Sequence, residues 1–199
     1  MTFCTTPRLK SAIFAATALF ACAITLSGCI PLVIGGVAGT AAIATDRRTA
    51  GAQLDDELTE DKTTAELLER FKGRDVHLNV TSYNGNVLLT GEAPNESVKS
   101  EIEDVARRMP KARSVQNEMV VGAAADLGSR SNDTFITSKV KARFIEANRF
   151  QINHVKVVTE RAVVYLLGVV RPEEGNAAAD IARTTSGVQR VVKVFEYLN

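Results

Sequence analysis

The sequence predicts an α+β fold: two tandem units of order α-β-β-α-β, each a three-stranded mixed sheet with helices packed on it. Three observations carry that expectation. Helical and alternating apolar periods follow one another in the same order twice along the chain. Two apolar runs that each close on a glycine, at Gly91 and Gly168, stand 77 residues apart. Leu78 and Val80 recur at that same offset as Val155 and Val157. A spacing kept through several elements marks an internal repeat rather than chance similarity.

The first unit spans 54–121. Leu58, Ala65, Leu67, Leu68 and Phe71 suggest an amphipathic helix, ended by Gly73. Val76, Leu78 and Val80 then alternate with His77 and Asn79, as in a strand with two different faces. Asn84-Gly85 is a two-residue hairpin signal, because both central positions of that turn take positive φ. Val87 to Thr90 return as a second strand that closes at Gly91. Asn95 and Glu96 open a helix whose Val98, Ile102, Val105 and Ala106 share one face, and Pro110 stops it. Val115 and Met119 to Val121 form the last strand.

A small, polar linker at 122–130 leads to the second unit, 131–199. Ser131-Asn132-Asp133 offers a cap for a helix with Ile136, Val140 and Phe144 at four-residue spacing. Val155 and Val157, then Val163 to Leu167 closing at Gly168, form the hairpin. Pro172 starts a helix carrying Ala177, Ala178, Ile181 and Ala182, Gly187 ends it, and Val188 to Phe195 form the final strand. Units of this size are marginally stable alone, so docking of one on the other is expected.

The residues before the repeats read differently. Arg8 and Lys10 precede an apolar run from about Ala12 to Thr25, which has the pattern of a secretion leader. Leu26-Ser27-Gly28-Cys29 resembles the lipobox of bacterial lipoproteins. That resemblance implies a signal peptide over 1–28, acylation of Cys29 (palmitate among the chains), and a tether over 29–53. Two or three fatty chains at one residue hold a protein to a bilayer where a single chain is marginal. An uncleaved spanning helix and an ordinary secreted protein are the alternatives. Pro31 and Gly28, Gly35, Gly36 and Gly39 speak against one continuous helix. Ile30, not Asp, follows Cys29, which by resemblance to the usual sorting pattern implies a periplasm-facing place on the outer membrane.

Cys4 and Cys22 fall in the leader, so the mature chain carries Cys29 alone and no internal disulfide. The net charge of +1 conceals an asymmetry: 55–121 carries −5 and 122–199 carries +3. The two halves are therefore expected to face different partners.

The strings Asn86-Val87-Leu88-Leu89-Thr90-Gly91, Val164-Tyr165-Leu166-Leu167-Gly168 and Gly187-Val188-Gln189-Arg190-Val191, in paired α-β-β-α-β order behind a lipobox, resemble the paired-BON-domain lipoproteins of the outer membrane. The resemblance implies an envelope protein without enzymatic activity or cofactor, linked to envelope stress and cell division. Its implied partner is the membrane, through anionic phospholipids such as phosphatidylglycerol or cardiolipin. The implied lipid-binding residues are Phe135, Ile136, Lys139, Lys141 and Arg143. The helical period divides that set. Ile136 lies on the stripe with Val140 and Phe144, whereas Phe135, Lys139 and Ala142 lie on its neighbour, flanked by Lys141 and Arg143. The resemblance also leads one to expect tryptophan at 135. Phenylalanine keeps the apolar wedge and lacks the indole N–H that favours the headgroup zone.

Two further readings stay open. Phe135 also suits a hydrophobic staple beside a solvated face of lysines. The acidic first unit, including its helix over 96–108, also suits a scaffold for envelope-assembly or division proteins. No nucleotide-binding or nucleophile-elbow motif occurs. His77 and His154, the only histidines, have no cysteine or spaced histidine beside them, so no metal site is expected. A charge of +3 in the second half is too small for a nucleic-acid footprint.

Overall fold

The computed structural model describes residues 46–198. The leader, Cys29 and the tether as far as residue 45 lie outside the described residues. The first helix, α1 (Ala50–Arg70), starts four residues before the expected boundary, where the Thr49 side chain accepts from the Ala52 N–H at 3.0 Å. Residues 50–53 of the expected tether are therefore helix. The buried face of α1 is Asp56, Thr59, Thr63 and Leu67, and Leu58 and Leu68 are exposed. Of the expected apolar stripe, Leu67 and Phe71 are buried and Leu58, Ala65 and Leu68 face outward, because the first half of this helix is seated by hydrogen bonds. Asp56 accepts from the backbone N–H of Asn84 and Gly85 and from the Ser82 hydroxyl, at 2.6–2.8 Å.

That carboxylate fixes the turn between β1 (His77–Tyr83) and β2 (Asn86–Ala93), which pair antiparallel. Helix α2 (Glu96–Arg107) follows, capped by the Asn95 side chain, with Val98, Ile102, Val105 and Ala106 buried as the period requires. The return strand is broken into β3 (Ser114–Asn117) and β4 (Val120–Val121), both parallel to β2. At the break, the Asn117 side chain takes the Met119 N–H at 3.1 Å, so this sheet counts four strands where three were expected.

In the second copy, α3 (Leu127–Ala147) begins four residues before the expected boundary and is capped by Asp126, not by Ser131-Asn132-Asp133. Asp133 is instead a buried mid-helix residue. Its two oxygens accept from the N–H groups of Arg161 and Ala162, the turn between β5 (Val155–Glu160) and β6 (Val163–Val170). Asp133 repeats Asp56, 77 residues on. Both turn residues have φ of 51–60°, which is unusual for side chains other than Gly, Asn or Asp. The carboxylate offsets that local cost. Helix α4 (Pro172–Arg183) and β7 (Arg190–Tyr197), parallel to β6, complete the unit.

Each sheet has one face under its helices. Leu67, Val87, Leu89, Ile102 and Val105 share the first core, and Ile136, Val140, Phe144, Val164 and Leu166 the second. The opposite faces form a third apolar cluster common to both copies: Tyr83 and Leu88 from the first, Tyr165, Leu167 and Val169 from the second. The result is four layers, helix, sheet, sheet and helix. This explains why β2 and β6 read as continuous apolar runs: a central strand covered on both faces has no polar side. Hydrogen bonds and ion pairs rim the seam. Asn79 donates to Glu160 at 2.7 Å, Lys156 meets Glu60 at 2.6 Å, and Asn84 donates to Glu196 at 2.8 Å.

The chain enters this assembly through two arginines. Arg47 forms a bidentate pair with Glu174 at the start of α4 (2.6 and 2.9 Å) and donates to the Val169 carbonyl at 3.0 Å. Arg48 pairs with Asp46 and Asp56, and its guanidinium carbon lies 3.8 Å from the Tyr83 ring centroid. The chain leaving toward Cys29 is thus fastened to both copies.

The closing glycines are required by close approach. A Cβ at Gly91 would lie 2.1 Å from the His77 carbonyl oxygen, and one at Gly168 would lie 2.2 Å from that of His154. Gly91 also has a φ of 114°. Gly91→Ala and Gly168→Ala are each expected to cost at least about 2–3 kcal/mol in urea unfolding. Gly51→Ala, whose Cβ meets only Thr49 Oγ1 at 3.8 Å, is expected to stabilise by up to about 1 kcal/mol. Equal stability of Gly91→Ala and Gly51→Ala would contradict the close-contact account.

The arginine clamp has a pH signature. Hydrogen bonding from Arg47 holds the Glu174 carboxyl below its usual range, against the opposing effect of burial. A carboxylate depressed in the folded state adds stability above its unfolded pKa of about 4.3, and loses it as pH falls through the folded value. Arg47→Ala should therefore be less stable than the parent chain near neutrality, with the gap closing as pH falls below about 4. A gap that stays constant in chemical denaturation between about pH 7 and pH 3 would rule out this linkage.

Candidate functional site

Helix α3 lies over its sheet with Ile136, Val140 and Phe144 inward, which leaves a broad stripe facing solvent. Phe135 sits on that stripe at 61% exposure. Lys139, one turn on, holds its Nζ 4.6 Å from the Phe135 ring centroid and donates to the Ser186 carbonyl. Lys141 is also exposed. An exposed aromatic ring leaves apolar area in water, and it gains free energy where an apolar layer lies under anionic headgroups that also attract the lysines.

Two of the five expected contact residues are placed elsewhere. Ile136 is fully buried in the second core, one residue round the helix from Phe135, and cannot touch a membrane surface without unfolding. Arg143 is committed to the end of α4: its Nη1 donates to the Ile181 carbonyl at 3.0 Å and to the Thr185 hydroxyl at 2.9 Å. It closes orphan groups at a helix C-terminus and so orients α3 rather than presenting a charge.

Two more apolar residues of α3 are exposed, Leu127 at 79% and Ile145 at 65%. Eighteen residues are five helical turns, so the two stand in line, about 27 Å apart, with Phe135 and Ala142 on the adjoining row. Leu127 falls in the expected linker, because the helix starts four residues before its expected boundary. Ile145 had no signal beyond its spacing from Leu127.

The equivalent face of the first copy provides a contrast within one chain. Leu58 occupies the repeat position of Phe135 and Leu68 that of Ile145, and both are exposed. However, α1 carries seven acidic and two basic residues, whereas α3 carries two acidic and four basic. An anionic surface would repel the first helix and attract the second. Among the described residues no helix is long and apolar enough to cross a membrane.

A second constellation lies at the edge of the seam. Glu92 is fully buried, and its carboxylate meets His77 Nδ1 at 2.9 Å and Arg161 Nη1 at 3.1 Å. Glu160 of the other copy is also buried, with a carboxylate oxygen within 4.8 Å of the Glu92 carboxylate and the His77 ring. Sequence spacing could not join these three, because pairing of β1 with β2 and docking of the two sheets bring them together.

A family model for the BON domain matches residues 55–123 and 132–199. The chain is 39% identical over 197 residues to an outer membrane lipoprotein, DolP, of Haemophilus influenzae, covering 97% of this chain and 98% of the relative. It is 34% identical over 154 residues to a 21 kDa hemolysin of Actinobacillus pleuropneumoniae, covering 77% and 79%. It is 27% identical over 144 residues to the osmotically inducible protein Y of Escherichia coli, covering 71% and 72%.

Proposed function

The chain belongs to the BON-domain family, and from that premise we propose that it is a non-enzymatic lipoprotein of the outer membrane that binds anionic phospholipid through α3 of its second domain and supports envelope integrity. The H. influenzae relative, named as an outer membrane lipoprotein, supports the location, and so does the leader that ends at Cys29. One observation carries the site: Phe135 stands in solvent on the more basic of two equivalent helices, with Lys139 against its ring.

The mechanism is a weak contact made effective by a tether. Seating Phe135 in the acyl boundary contributes about 1.5–3 kcal/mol, and each lysine near an anionic surface about 1 kcal/mol. Alone, that corresponds to an affinity of roughly 0.1–10 mM. Fatty chains on Cys29 would hold the domain at an effective concentration in the millimolar range, where such contacts persist. Leu127 and Ile145 extend the contact along the helix, so α3 lies flat on the surface. The Arg47–Glu174 clamp joins the tether directly to the domain that carries α3.

The test is co-sedimentation of the chain from Thr40 onward with phosphatidylglycerol-containing vesicles. Phe135→Glu should weaken binding at least about tenfold with an unchanged circular dichroism spectrum, and phosphatidylcholine vesicles should bind neither form. Equal binding by Phe135→Glu and the parent chain would refute the site.

A further inference from the structure

The trio at the seam has a composition that hydrogen bonding alone does not call for. His77 and Glu92 are opposite one another in the β1–β2 register, on the sheet face turned away from the helices. Glu160 comes from the end of β5 in the second domain. Glu92 is 0% and Glu160 6% exposed, so two carboxylates from different domains are withdrawn from water within 4.8 Å of an imidazole. One arginine, Arg161, meets the pair, and it does so from the Glu92 Oε1 side. Asn79 donates to Glu160 Oε2 at 2.7 Å. Glu160 takes this hydrogen bond from a neutral amide and not from a cation, and a carboxylate withdrawn from water gains when a cation is brought to it.

We propose that His77, Glu92 and Glu160 form a binding site for a divalent transition-metal ion, zinc by preference, that clasps the two domains together at the edge of their seam. The ligand atoms of tetrahedral zinc lie about 3.4 Å apart. The 2.9 Å separation of His77 Nδ1 and Glu92 Oε2 and the 4.8 Å limit on the trio bracket that spacing. Arg161 and Asn79 then act as outer partners that orient the two carboxylates, the arrangement by which ligating side chains are usually held. A cleft of about 250 Å³ lined by His77, Asn79, Thr159 and Glu160 opens on the group, giving an ion an entry path and room for a water as fourth ligand. The imidazole selects zinc over magnesium and calcium, which favour sites made of oxygen alone.

The site adds a metal-dependent increment to a docking that the apolar seam already drives. It is independent of the lipid-binding reading, because it lies at the seam and not on the exposed face of α3.

The experiment is calorimetric unfolding of the full chain in nonionic detergent, with its thiols alkylated and metals removed by chelation, followed by addition of zinc, magnesium or calcium chloride. Zinc at ten times its dissociation constant should raise the unfolding temperature by about 3–6 °C, at one ion per chain, while magnesium and calcium should not. His77→Gln and Glu160→Gln should abolish the shift, and His154→Gln, which alters the only other histidine, should keep it. No zinc shift, an equal shift with magnesium, a shift retained in His77→Gln or Glu160→Gln, or one lost in His154→Gln would overturn the proposal. If a variant fails to fold, zinc-edge absorption on the parent chain decides. One imidazole with oxygen ligands supports the site, and an environment without imidazole overturns it.

Discussion

The contact between the two sheets is the constraint on which the rest of this structure depends. Tyr83, Leu88, Tyr165, Leu167 and Val169 are buried only because each sheet covers the other. Each such side chain contributes about 1.5–3 kcal/mol when removed from water. Either domain alone would expose an apolar sheet face, so neither is a self-sufficient unit. Burial in this layer also pushes the Tyr165 phenol up to about 12. Once the inner faces are committed to one another, the helices must lie outside, and α3 has nowhere to turn but toward solvent.

The repeat provides two equivalent helices that differ in charge. Thr59, Thr63 and Leu67 hold the repeat positions of Ile136, Val140 and Phe144, so the first helix is seated by polar contacts and the second by apolar ones. Asp56 and Asp133 do the same work in both, each holding a hairpin turn in the left-handed region. Outside, Leu58 and Phe135 are equivalent and exposed, but Glu57 and Asp61 stand where the second copy has Thr134 and Ser138, and Thr64 where it has Lys141. The scaffold was kept and the electrostatics of its outer faces diverged.

Much of this was legible in the sequence. The 77-residue offset marks the repeat, the Asn84-Gly85 turn, the Asn95 cap, Pro172 in the first turn of α4 and the closing glycines encode local geometry, and the fold class follows from them. What was illegible depended on contacts distant in sequence. The Arg161-Ala162 turn carries no glycine, because Asp133 stabilises it from another element. Most of the buried stripe of α1 carries no apolar period, because two threonines and an aspartate fill it. Ile136 and Phe135 are adjacent in sequence, and only packing separates a core residue from a surface one. His77, Glu92 and Glu160 meet only when the sheets dock.

The central claim is that the outer face of α3 enters an anionic membrane surface while the seam holds the rest of the chain away from it. The chain contains no tryptophan, so Phe135→Trp places a single reporter at the decisive position. With phosphatidylglycerol vesicles, its emission should shift to the blue and be quenched by brominated acyl chains, and with phosphatidylcholine vesicles neither change should occur. Emission that stays solvent-like and unquenched with anionic vesicles would contradict the account.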